Sequence, residues 1–143
     1  MGTWDVGPFD NDTAADWCGD LQDADAAQRP GLIRRALATV VEQEGYLDSD
    51  VACEALAAAA IVAAQRGGPP ITSAYAPEFL RAGGGVEVPD DVAALAVRAL
   101  DRVAGEGSEW RELWEEADAG SQAAAAVAPI REALTRTTLP GAP

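Results

Sequence analysis

Apolar residues recur at helical spacing along most of this chain and nowhere alternate cleanly with polar ones. Within residues 30–44, Ile33, Leu37, Val40 and Val41 fall at i, i+4, i+7 and i+8. That is the stripe of a helix with one buried face. Pro30 suits its first turn and Gly45 ends it. Residues 50–66 differ, because every position from Val51 to Ala64 except Glu54 is apolar. A helix apolar on all sides belongs at the centre of a fold. Ser49 or Asp50 is expected to cap it, and the run RGGPP at 66–70 stops it. Residues 89–104 place Val92, Leu95, Ala96, Ala99, Leu100 and Val103 on one face. Ser108 caps a further helix over 109–118, with Trp110, Leu113, Trp114 and Ala117 as its apolar stripe. A last helix over 121–136 turns Ala123, Ala126, Val127, Ile130 and Leu134 inward, and Pro129 is expected to kink it or mark a boundary.

Ahead of these lies a helix over 12–22, capped by Asn11 or Asp12. Residues 67–88 read as irregular, with Pro77 opening a short helical turn through Glu78–Arg81. Gly83, Gly84 and Gly85 lack the Lys and Ser/Thr of a phosphate-binding loop. The reading is an all-α fold: a single compact bundle of about six helices over residues 1–137, with residues 138–143 as a disordered tail. The leader, residues 1–11, is non-helical, yet it carries Trp4 and Phe9 and is followed by Trp17. Aromatic side chains bury much apolar area, so the leader is expected to pack into the bundle.

Composition agrees with this reading. Ala supplies much of the 48% hydrophobic content, and it has the best helix propensity. Charge adds more. Twenty-four acids face ten cations, all of them Arg, for a net charge of −14. Such a field repels nucleic-acid phosphates and anionic membranes, and it favours a basic protein partner or a metal cation. With no apolar run long enough for a membrane span and no signal-peptide pattern, a cytoplasmic location is expected. Cys18 and Cys53, in apolar helical contexts without CxxC spacing, read as reduced core thiols. The chain has no His, which removes the usual general base and the Ser-His and Cys-His nucleophile pairs. The residue set points away from an enzyme, and no cofactor is expected.

Two features could still carry a ligand. Asp10, Asn11, Asp12 and Asp16 cluster at the first helix, with Asp12, Asp16 and Asp20 one turn apart. Like charges at that spacing repel unless neutralised, and Asp10, Asp12 and Asp16 are the candidate ligands of a divalent cation. The alternative is that Asn11 and Asp12 cap the helix while Asp16 and Asp20 face water. Glu54 sits within the most apolar helix and must pair, hydrogen-bond or take up a proton there. It could instead occupy a narrow exposed edge and meet water, Arg34 or Arg35. Trp4 and Trp17 could wall such a site or simply fill the core. Two functions follow. One is a non-enzymatic acidic interaction or regulatory protein for a basic partner, monomeric or homodimeric. The other is a small-molecule or divalent-metal binding protein built on the Asp cluster.

The opening MGTWDVGPFDNDTAADW resembles the start of a bacterial family called domain of unknown function 4259. The match runs through Gly2, Trp4, Gly7, Phe9, Asn11, Asp12, Ala15, Asp16 and Trp17, with Asp5 where the family has Gly. YLDSDVACEALAAAAIVAA and SEWRELWEE are similar to its middle and C-terminal helices, while AGSQAAAA departs from it. The resemblance implies a small helical domain and supplies no activity, substrate or cofactor.

Overall fold

The computed structural model describes residues 7–138. Trp4 with the rest of the leader before Gly7, and the tail beyond Thr138, lie outside the described residues. Among the described residues there are seven helices and no strand. They are α1 (Asp12–Asp23), α2 (Arg29–Glu42), α3 (Ser49–Gln65), α4 (Glu78–Arg81), α5 (Asp90–Ala104), α6 (Glu109–Glu116) and α7 (Gly120–Thr138). A single 3-10 turn, Ala26–Gln28, leads into α2. The all-α reading holds, and the short turn of helix after Pro77 is α4.

The fold is organised around α3. Ten of its seventeen residues are buried, seven of them Ala. Helices α1, α2, α5 and α7 all pack against it. Ala presents little more than a methyl group, so neighbours approach closely and their larger side chains fill the space. Leu21 of α1, Ile33 and Leu37 of α2, Leu100 of α5 and Leu134 of α7 are all essentially inaccessible. Trp17 and Trp110 are buried with them. Both thiols are free; burial pushes each up to about 12, with the charges of Asp50 and Glu54 adding to the effect at Cys53.

Helix ends are tied by long-range polar contacts. Asn11 caps α1, its Oδ1 accepting from the Ala14 N–H at 2.8 Å. Ser108 caps α6 as expected. The cap of α3 is different: the Ser49 N–H donates to Glu109 Oε1 of α6 at 2.8 Å, and neither Ser49 nor Asp50 is the capping residue. The two helix starts are also joined through the main chain, with Leu47 N–H donating to Gly107 O and Glu109 N–H to Leu47 O. A partner sixty residues away satisfies the α3 donor, so local pattern could not reveal it.

Arg side chains do similar work at other ends. Arg29 donates to the Leu21 and Gln22 carbonyls at the end of α1 and stacks on Phe79 at 3.7 Å. Arg66 joins the end of α3 to Val88 O and Asp90. Arg102 donates to the Gly45 and Gly107 carbonyls. Arg131 of α7 forms a two-pronged pair with Asp101 of α5, at 2.6 and 3.1 Å.

Helix α7 runs unbroken through Pro129. That residue lies on the exposed side of the helix, where a missing main-chain N–H is least costly. Just past α3, Gly68 donates to the Ala63 carbonyl at 2.7 Å. A Cβ there would stand 2.7 Å from Ala63 O and 2.8 Å from Ala133 Cβ on α7. Gly68→Ala should therefore destabilise by about 1–3 kcal/mol through overpacking. Gly31→Ala, with nothing within 4 Å of the new methyl, should not. Paired urea melts of the two variants check this.

Candidate functional site

A cleft of about 500 Å³ open to a ligand lies beside the start of α1. The turn Gly7–Asp10, closed by Asp10 N–H donating to Gly7 O at 3.1 Å, forms one wall. Ala60 of α3 lies at its base, Ala126, Pro129 and Ile130 of α7 form a second wall, and the segment Pro69–Tyr75 closes a third side. The cleft exists because Ala60 and Ala126 are too small to fill it, and the two adjacent prolines stiffen the segment that closes it. Among the described residues Asp10 is its one charged side chain. The Asp10 carboxylate folds back over Gly7, so close that any side chain at position 7 would collide with it. Tyr75 is a large side chain left 52% exposed. It is placed by a serine turn, in which the Tyr75 N–H donates to Ser73 Oγ at 3.1 Å and the Ala76 N–H to Ser73 O.

The sequence candidates do not converge on one point. Asp10 lies in the cleft, while Asn11 is buried and spent on the α1 cap. Asp12 and Asp16 lie on the solvent face of α1. Trp17 is in the core, and Trp4 lies outside the described residues. Among the described residues, no group of three or more Cys, Asp or Glu side chains is placed to hold a metal ion.

Glu54 is half-buried on α3. Burial raises its carboxyl above the ordinary value of 4.5, and the charges of Asp50 and Asp20 raise it further. Of the two arginines considered for it, Arg34 is engaged elsewhere, with Asp91 at 2.8 Å.

A second surface stands out on the far side of α3's first turn. Tyr46 is 49% exposed and donates its hydroxyl to Glu112 Oε1 at 2.8 Å. That bond pushes its pKa up to about 12, with burial and the charges of Glu112, Glu109 and Glu116 adding to it. An aromatic ring thus stands among carboxylates from α6. Composition alone pointed to an acidic surface but not to this grouping. The cleft was equally hidden, although its Pro-Pro pair and Pro129 are visible as breaks in the helical pattern.

An all-α fold wrapped around an alanine-rich central helix is the class these features define. The model of the family described as domain of unknown function DUF4259 matches residues 2–127, and the chain belongs to that family. No curated protein and no solved structure matches the chain. No described helix is long and apolar enough to cross a membrane.

Two expectations follow. Asn11→Ala should cost about 1 kcal/mol through loss of the cap, whereas Asp12→Ala and Asp16→Ala should stay within about 0.5 kcal/mol. Thermal melts of the three variants separate a capping residue from solvated ones. Glu54 tests the buried charge. Its raised pKa means that the folded state binds the proton more tightly than the unfolded chain. That stability is present below the ordinary carboxylate range and is lost as pH rises through the folded value. Glu54→Gln should raise Tm at about pH 7 and give no gain at about pH 3.5. Equal effects at both pH values would show that Glu54 is not held above its ordinary range.

Proposed function

We propose that this chain is a non-enzymatic interaction or regulatory protein whose acidic surface engages a basic protein partner. The observation that carries the reading is where its positive charge goes. Of ten Arg, seven (Arg29, Arg34, Arg66, Arg102, Arg111, Arg131 and Arg136) bond to backbone carbonyls or to carboxylates within the fold. Five carboxylates are paired with Arg among the described residues, out of twenty-four acids in the chain. Cationic groups are thus used internally, and the outward field is set by the acids. A field of one sign speeds encounter with an oppositely charged surface and rejects anionic ones. The carboxylates around Tyr46 support the reading locally, because the ring offers a cationic side chain a face to stack on.

The tagged protein, with its tag at the C-terminus, tests this in extracts of its own cells. A basic protein retained in stoichiometric amount at about 50 mM salt and released by about 300 mM supports the reading. The variant Glu112→Gln/Glu116→Gln should retain less of it. Retention unaffected by salt, or a retained partner that is itself acidic, would overturn the acidic-surface reading.

A further inference from the structure

We propose that the cleft between the Gly7–Asp10 turn and α7 binds a small organic cation, an ammonium group carried on a compact apolar body. The inference is independent of the protein-partner reading above. Four observations lead to it. The first is shape: a cleft of about 500 Å³ lies within the range of small-molecule sites. The second is its lining. Ala60, Ala126 and Ile130 give an apolar floor and wall, so an occupant gains by burying an apolar body there. The third is the charge. Among the described residues Asp10 is the one charged side chain in the lining and no Arg lines the cleft, and the chain carries −14 overall. An anionic ligand is repelled, and a neutral one leaves the Asp10 carboxylate without a matching charge. The fourth is Tyr75. It lines the same cleft and stays half-exposed despite its size, on main chain held by the Ser73 turn. An aromatic face and a carboxylate on one cleft form the pair of groups that recognises ammonium.

Pro129 adds its ring to the apolar wall. The ammonium is assigned to Asp10 and Tyr75, and the apolar body to Ala60, Ala126 and Ile130. Asp12 and Asp16, exposed on α1 and absent from the lining, take no part.

Three probes of equal shape and different charge test the assignment: phenethylammonium, phenethyl alcohol and phenylpropionate. Each is titrated into the 15N-labelled full chain and followed through the amide resonances of Ile71, Thr72, Tyr75, Ala126 and Ile130. Phenethylammonium should shift these resonances, with the alcohol binding about tenfold or more weakly and the carboxylate not at all. Asp10→Asn should reduce phenethylammonium to the affinity of the alcohol, and Asp12→Asn should leave it unchanged. Ala126→Phe, which narrows the cleft without altering its charge, should abolish binding of the amine and the alcohol together. Resonances distant from the cleft report whether each variant keeps its fold. If Asp10→Asn does not fold, the three probes and Ala126→Phe still decide the question. The proposal is overturned if the amine leaves the cleft resonances unmoved at millimolar concentration. It is also overturned if the amine and the alcohol bind equally, or if Ala126→Phe leaves amine binding intact.

Discussion

The burial of α3 on nearly every side is the constraint from which the rest of the structure follows. A helix in that position cannot carry large side chains on all faces and still be approached by four neighbours. Ala at seven of its ten buried positions meets that requirement. The consequence falls on the surrounding helices, which supply the bulk: Leu21, Ile33, Leu37, Leu100 and Leu134 are all inaccessible and come from four different helices. Where a neighbour also carries small residues, as α7 does at Ala126, the space is not filled and a cleft opens above Ala60. Close packing in one place and the opening in another have one origin.

The same economy governs charge. A chain at −14 opposes its own compaction through self-repulsion. Scattered surface ion pairs would offset little of this, since an exposed pair contributes about 0–1 kcal/mol. Arg34, Arg131 and Arg136 form such pairs, whereas Arg29, Arg66 and Arg102 reach helix ends and loops, where a guanidinium meets main-chain carbonyls. Arg29 closes α1, Arg66 joins α3 to the start of α5, and Arg102 links two loops. Each contact adds a charged donor to a main-chain carbonyl and complements its partial negative charge. Connectivity is gained, and most carboxylates are left facing outward.

Much of this fold was legible in the sequence, because its helices are amphipathic and well punctuated. The stripes of α2 and α5, the all-round apolar character of α3, the Asn11 and Ser108 caps and the turn after Pro77 all follow from periodicity and local chemistry. What could not be read depends on residues far apart in the chain. The α3 cap comes from Glu109, and the link between Leu47 and Gly107 spans the same distance. Pro129, expected to kink the last helix or mark a boundary, lies inside an unbroken α7, with its missing donor on the exposed side. The candidate site was legible only in part. Asp10 was singled out with its acidic neighbours, yet the tertiary fold separates it from Asp12 and Asp16 and sets it beside residues 69–75 and 126–130.

That separation matters for how the carboxylates differ chemically. Glu54 is half-buried, its nearest charged influences are Asp50 and Asp20, and its carboxyl is raised accordingly. Asp12 and Asp16 face water, where repulsion along the helix is screened by solvent and salt. Asp10 belongs to neither group, since it is half-buried against an apolar cleft beside an aromatic side chain. The candidate carboxylates thus occupy three environments with three consequences. At Asp10 a carboxylate meets an apolar surface with open space beside it, which is the condition under which its charge can select a ligand.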